Sequence, residues 1–385
     1  MRRCAYLTFQ PAENDENTWS GLNFHIRQAV RLAGFDVVHL GGLYAEVNFY
    51  ESLKCRFYRQ VIRKGFDLRR NRRFLKKCAA STKSRLAQSG SFDFIIAPSS
   101  YPVAFLGNEI PKVVWLDSTF PGLVNYYPGF CNLSQETLRE GESVEAEALH
   151  NCTAVIFTSD WAKGIAIDRY GLEPRKVHVV PFGANIDDSH IRPEKIFQAV
   201  ATRKMPPYRF LFLGMDWMRK GGKFAVETIR RLNDLGVPAH LIVVGCQPQN
   251  ADVDSELVTV EGFLDKTNRV SRDRLYEVLT NSHFLILPTR AEAYGLVFAE
   301  TAAFGVPSLA IRTGGIPTLI QHGKTGLLFD PGETADVWAQ AIKAVLEKPD
   351  IYESMARAAY ERYSTVLNWQ TAARGFREIV ERILR

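Results

Sequence analysis

Phe284-Leu285-Ile286-Leu287-Pro288-Thr289-Arg290-Ala291-Glu292-Ala293-Tyr294-Gly295-Leu296-Val297-Phe298-Ala299-Glu300 reads as strand, loop and helix in seventeen residues. An apolar run stops at Pro288, which cannot donate to a sheet ladder. Gly295 lets the backbone turn and approach a ligand, and an apolar helix begins near Leu296. The first N–H groups of a helix lack intrahelical acceptors and carry the positive end of the helix dipole, so they face outward as anion receptors. Glu292 sits in the loop, and Glu300 lies about one turn into the helix, on a face that still looks toward the same crevice. A carboxylate is the acceptor best able to hold a pair of hydroxyls, the groups that a sugar offers. Two acids at this spacing can also be no more than solvent-facing charges, so the surrounding chain decides.

The strand-then-helix pattern recurs. In the first half, short apolar runs predict strands at 4–9, 36–40, 92–97, 112–116, 154–158 and 176–180. In the second they predict strands at 209–213, 240–244, 258–263, 283–287 and 307–311. Helix-period stretches follow most of them, the signature of parallel α/β sheets. At 385 residues the chain is too long for one ordinary core and suits two such domains. The polar, proline-bearing stretch 185–207 reads as the linker between them.

Composition narrows the class. The chain is 46% hydrophobic and 23% charged, as in a folded globular protein. No stretch approaches the ~20 apolar residues that a membrane-spanning helix needs. The six cysteines form no C-x-x-C pair, which argues against a disulfide framework and a structural zinc site, and a reducing cytoplasm fits. The net charge of +6 is unevenly spread. Between Ser52 and Leu86, 13 Lys and Arg face the single acid Asp67, giving 13 − 1 = +12. Such a segment suits an anionic membrane surface, or is a solvated helical face.

Upstream of the opening stretch, Phe210-Leu211-Phe212-Leu213-Gly214-Met215-Asp216-Trp217-Met218-Arg219-Lys220-Gly221-Gly222 repeats the strand, turn and helix start. Downstream, Thr313-Gly314-Gly315-Ile316-Pro317-Thr318 leads into His322-Gly323-Lys324-Thr325-Gly326-Leu327-Leu328-Phe329. Together these motifs resemble those of the family 4 retaining glycosyltransferases of the GT-B fold, the glycosyl transferases group 1. Glu292 and Glu300 match the ends of the family's E-x7-E motif. Arg219 and Lys220 match the basic pair that grips the donor diphosphate. The chain departs from the family pattern at Thr318, where Glu is common, and at His322, where Asp or Asn is common. The resemblance covers most of residues 208–345.

The first half is less distinctive. Trp19-Ser20-Gly21-Leu22 resembles the family's glycine loop, with Gly21 offering an amide toward the donor phosphates, and is otherwise a tight turn. Asp117, after the fourth predicted strand, stands where relatives carry a His near the reacting sugar. It is either a sugar or acceptor contact or a helix cap.

Competing signals fail. A P-loop ending at Lys324 needs Gly at 318, where Thr318 stands, and no G-x-G-x-x-G follows the first strand. Asp252-Val253-Asp254 reads as a polar loop rather than a metal-binding triplet. The histidines lack H-E-x-x-H spacing, and there is no G-x-S-x-G elbow, so neither a catalytic metal nor a cofactor is expected.

The resemblance thus implies an α/β GT-B architecture, two Rossmann-like doubly wound domains facing a central cleft. Residues 1–190 form the acceptor-side domain, with the helix 368–385 packing back on it, and 200–365 bind the nucleotide sugar. It implies a metal-independent hexosyltransferase that retains anomeric configuration and uses a nucleotide-diphosphate sugar as co-substrate. The acceptor is a glycan or lipid-linked hydroxyl, as in polysaccharide biosynthesis. Arg219, Lys220 and Glu292 are the expected catalytic residues. Gly21, Tyr294, Gly295, Leu296, Val297 and Glu300 complete the expected donor contacts, the residues 294–297 chiefly through their amides. The expected location is cytoplasmic, peripheral at the inner face of the membrane through 52–86, with no nucleic acid partner. Three alternatives stand beside this: a sugar-nucleotide epimerase of the same fold, which needs no acceptor; a phosphorylase, which needs inorganic phosphate; and a non-catalytic basic protein binding nucleic acid or membrane, which shows no turnover.

Overall fold

The computed structural model describes residues 1–11, 18–249 and 256–385. The chain forms two compact units, Met1–Phe182 with Trp369–Arg385, and Gly183–Asn368.

The first unit is built on strands β1 (Arg3–Leu7), β2 (Asp36–Leu40), β3 (Phe94–Ala97), β4 (Lys112–Leu116), β5 (Ala154–Phe157) and β6 (Val177–Val179). They form one parallel sheet in the order β2-β1-β3-β4-β5-β6. A parallel sheet covered on both faces calls for continuous apolar strands, and every residue of β3, β4 and β5 is buried. The helices are α1 (Leu22–Leu32), α2 (Phe49–Phe57), α3 (Arg72–Gln88), α4 (Phe120–Leu123), α5 (Gln135–His150) and α6 (Asp160–Tyr170). Asn71, Ser134 and Ser159 cap α3, α5 and α6 by accepting a backbone N–H of the first turn.

The second unit opens with helix α7 (Pro193–Thr202), followed by β7 (Tyr208–Leu213), α8 (Gly222–Asp234), β8 (Ala239–Val244), β9 (Val258–Gly262) and α9 (Arg269–Asn281). Then come β10 (Phe284–Leu287), α10 (Leu296–Ala302), β11 (Ser308–Ile311), α11 (Ile316–Leu319), β12 (Gly326–Phe329), α12 (Ala335–Leu346) and α13 (Pro349–Thr365). The sheet is again parallel, in the order β12-β11-β10-β7-β8-β9. Its core includes Phe210 against Phe284 at 5.7 Å and Phe329 stacked on Trp338 at 4.0 Å.

The stretch expected as a linker is folded into this unit. Pro193 occupies the first turn of α7, where its missing N–H costs nothing and its fixed φ suits the helix. Ile196 and Val200 are buried, and the Arg203 guanidinium behind them donates to the carbonyls of Phe304 (3.1 Å) and Gly305 (2.8 Å). The unit boundary accordingly falls at Phe182/Gly183. Strand β12 has no counterpart among the predicted strands, although its residues belong to a motif already quoted.

The last helix, α14 (Trp369–Ile383), belongs to the first unit. Phe376 stacks on Trp115 of β4 at 5.4 Å and meets Phe35 edge-on at 5.9 Å. Trp369 packs on Phe182 at 5.6 Å, and the Trp115 indole donates to the Val180 carbonyl at 2.9 Å. The buried ring of Trp115 thereby finds both apolar neighbours and a hydrogen-bond acceptor.

One buried histidine gives the second unit a pH dependence. His283 precedes β10, its Nδ1 accepts the Arg209 amide at 3.0 Å, and burial together with Arg203 and Arg209 pushes its imidazole down to about 4. The folded chain keeps it neutral between about pH 4 and 6.5, where the unfolded chain protonates it. Because unfolding takes up that proton, stability falls as pH drops through this window, by up to about 1.4 kcal/mol per pH unit. Urea midpoints from pH 7 to pH 4 should show this slope. It should shrink by about one proton in His283→Gln, which keeps an acceptor for the Arg209 amide.

Candidate functional site

In the second sheet the chain leaves β7 toward β8 and β9, and later leaves β10 on the opposite side toward β11 and β12. The neighbours β7 and β10 therefore flank a topological switch point, where two loops diverge beyond the carboxyl ends of the strands and leave a crevice. Arg219 and Lys220 lie on the loop after β7, and Glu292 lies on the loop after β10.

The first loop is locked by close packing. Gly221 caps α8 with φ 81°, and a Cβ there would lie 2.4 Å from the Pro288 carbonyl oxygen. Beneath Gly222 sits the ring of Trp217, against which a Cβ would lie at 2.1 Å. The Arg219 amide donates to Asp216 Oδ1 at 3.0 Å, and the Lys220 amide donates to the Asp216 carbonyl at 3.0 Å. This short turn presents both cations toward the neighbouring loop.

The second loop meets them. Lys220 Nζ donates to Glu292 Oε2, and both residues are buried. Arg219 Nη1 stands 3.6 Å from the same oxygen and donates to the Ala291 carbonyl at 2.8 Å. On the far side, the Gly315 amide donates to the Glu292 carbonyl at 3.1 Å, so the Gly314-Gly315 turn after β11 fixes the backbone that carries the acid. Gly295, at φ 92°, caps α10, and a Cβ on it would come within 2.6 Å of Phe298 and 3.0 Å of Glu292 Cγ.

Glu300, on α10, is buried and forms its own pair, accepting Lys266 Nζ on Oε1 at 2.5 Å. Lys266 also reaches the Asn185 carbonyl at 3.3 Å. Lys266 has no counterpart in the motif reading: it is a lone cation after β9, and its one distinguishing property is the acid that it meets in space. Tyr294 is buried and burial pushes its phenol well above the ordinary tyrosine range, so its ring belongs to the core. Leu296 and Val297, half-buried, form the first turn of α10.

Of the two departures from the family pattern, the His322 side chain has structural work. His322 Nδ1 accepts the Leu328 amide at 3.0 Å and so secures β12. The Thr318 carbonyl accepts Arg362 Nη2 of α13 at 2.7 Å.

The two candidates in the first half lie in the first unit. Gly21 caps α1 at φ 74°, and Trp19 and Ser20 before it also take left-handed φ values of 53° and 54°, which only the glycine adopts without steric cost. Asp117 follows β4 and is half-buried. Its reading as a helix cap is corrected: the cap of α4 is Thr119, whose Oγ1 accepts the Gly122 amide at 3.2 Å. The Asp252-Val253-Asp254 triplet lies outside the described residues.

Two doubly wound parallel units of this kind define the GT-B architecture. Over 99% of this chain and 100% of that one, the structure is similar to Anabaena HepE in complex with UDP, with a TM-score of 0.67 at 16% identity. It is also similar to sucrose-phosphate synthase from Thermosynechococcus elongatus, with a TM-score of 0.65 at 18% identity over 100% of this chain and 99% of that one. Residues 194–362 match the family described as Glycosyl transferases group 1. Among curated relatives, N-acetyl-alpha-D-glucosaminyl L-malate synthase of Bacillus anthracis is 36% identical over 251 residues, 57% of this chain and 63% of the relative. D-inositol 3-phosphate glycosyltransferase of Corynebacterium jeikeium is 25% identical over 268 residues, 66% of this chain and 63% of the relative. The chain thus spans a little under two thirds of the length of these relatives.

The buried pair yields a double-mutant test. Lys220→Met leaves Glu292 buried with only the more distant Arg219, and should cost about 3 kcal/mol in denaturant unfolding. Neutralising both partners, as Lys220→Met with Glu292→Gln, should recover much of that loss. Strict additivity of the two single changes would refute direct coupling.

Proposed function

We propose that this protein is a retaining glycosyltransferase of the cytoplasm. It moves a hexose-type sugar from a nucleotide-diphosphate donor to a hydroxyl of a glycan or lipid-linked acceptor, with no catalytic metal. The observation that carries the reading is the meeting of Arg219, Lys220 and Glu292 across the switch point of the second unit. Two cations and one acid in a partly dry crevice suit a group that is anionic at one end and rich in hydroxyls at the other. The UDP held by HepE and the glycosyltransferase names of the relatives support the same donor class.

In this reading Arg219 and Lys220 face the diphosphate. As the glycosidic bond breaks, negative charge builds on the leaving oxygen, and both cations are already in place, so the stabilisation is greater in the transition state than in the ground state. The amides from Tyr294 to Val297 add donors with little reorganisation. Glu292 orients the transferred sugar through its hydroxyls, and its shared contact with Lys220 fixes the sugar relative to the phosphates. Glu300 holds the ribose. Lys266 occupies its Oε1, and among the described residues its Oε2 has no hydrogen-bonding partner. A ribose hydroxyl can therefore bind at Oε2 without displacing the lysine, while a bidentate grip requires Lys266 to swing aside. Departure of the diphosphate and attack of the acceptor hydroxyl on the same face of the sugar, through an oxocarbenium-like state, asks little of a protein base.

The test is turnover of UDP-, GDP- and ADP-sugars in the presence of EDTA, with and without glycan or lipid-linked acceptors. One donor should be consumed only when an acceptor is present, which also separates transfer from epimerisation. Lys220→Arg should retain measurable activity, and Glu292→Gln should lower kcat about 100-fold or more, because a misplaced transferred sugar loses its near-attack geometry. Near-normal turnover in Glu292→Gln, or a strict need for a divalent ion, would refute this reading.

A further inference from the structure

The helix after β2 is built inside out. Phe49, Leu53, Phe57 and Val61 recur every fourth residue, the spacing of a helical stripe that ordinarily faces a core. Helix α2 continues without a break as a wider turn over Tyr58–Ile62, yet neither segment contains a single buried residue. Phe49 is 75% and Tyr50 79% exposed, and Leu53, Phe57, Val61 and Ile62 are exposed as well. What holds the helix to its unit is polar. Lys54 and the Tyr58 hydroxyl both bind Glu136, the hydroxyl at 2.8 Å, and Lys77 binds Glu51 at 2.7 Å. The Tyr58 ring stacks on Phe66 at 4.9 Å.

Beside the apolar stripe runs a groove of about 890 Å³, apolar along Leu53 and Phe66 and lined also by Arg56, Arg59, Arg63 and Lys64. Lys54 and Lys77 are neutralised by acids, but among the described residues none of these four cations forms a salt bridge. Exposed aromatic and aliphatic side chains next to uncompensated cations match one environment in particular, the interface of a bilayer carrying anionic headgroups. A second copy of the chain would set this cationic face against itself. A nucleic acid would use the aromatic rings and the arginines but leave Leu53, Val61 and Ile62 in water.

We propose that helix Phe49–Ile62 and its groove form a docking face for an anionic lipid bilayer. The apolar stripe enters the headgroup boundary, and Arg56, Arg59, Arg63 and Lys64 meet the phosphates. The proposal uses nothing of the donor site and stands or falls separately from the reading of that site.

Flotation of the full chain with vesicles of phosphatidylcholine alone, or mixed with phosphatidylglycerol, tests it. The protein should float with the anionic vesicles and not with the neutral ones, and should be released by high salt. Each cation near such a surface strengthens partition about fivefold, so Arg56→Gln with Arg59→Gln should weaken it about 25-fold. Phe49→Ser with Leu53→Ser should abolish it while leaving the circular dichroism spectrum unchanged, since neither side chain is buried. Turnover of a soluble donor and acceptor should be unaffected by either pair of changes. Failure to float, equal floating with neutral vesicles, or indifference to both pairs would overturn the proposal. So would a dimer in gel filtration that Phe49→Ser with Leu53→Ser dissolves.

Discussion

An ammonium and a carboxylate buried side by side hold the second unit's crevice in shape. Taking either charge out of water alone costs several kcal/mol, so each makes the other tolerable only where the geometry is tight. Lys220 and Glu292 meet that condition because they come from the two strands that flank the reversal of the sheet order. Much of the surrounding detail serves this contact. Gly221 lets the backbone pass over the Pro288 carbonyl, Trp217 fills the turn below it, and the Gly315 amide holds the main chain of the acid. Arg219, reaching both the Ala291 carbonyl and the acid, ties the loops a second time.

How legible this was in the sequence depended on the range of the physics involved. The eleven expected strands are present, and the central ones are the clearest because fully buried parallel strands need continuous apolar runs, a local signal. Pro193 misled the reading of the linker, since a proline that opens a helix and one that ends it look alike until its position in the turn is known. Strand β12 opens on a glycine and directly follows a turn rich in polar residues, so its short apolar run reads as the end of that turn. Arg219, Lys220, Glu292 and Glu300 were found from motif resemblance. Lys266 was not, because its significance rests on a meeting between residues 34 positions apart.

The departures at His322 and Thr318 teach a related point. An imidazole nitrogen can accept a backbone amide much as a carboxylate or amide oxygen does, and here His322 holds the turn before β12 in that way. At Thr318 it is a backbone carbonyl that binds Arg362, an interaction any side chain at that position would permit. The His322 side chain is thus tied to holding its loop.

The first unit borrows its final helix from the far end of the chain. Because Trp369 and Phe376 cover Trp115, Phe182 and Phe35, residues up to Phe182 cannot close their aromatic layer until the segment around Trp369–Phe376 has been made. The second unit, continuous from Gly183 to Asn368, carries no such delay. During synthesis the order of completion is therefore reversed from the order of emergence, and Trp115 waits with one side uncovered while about 250 further residues are added.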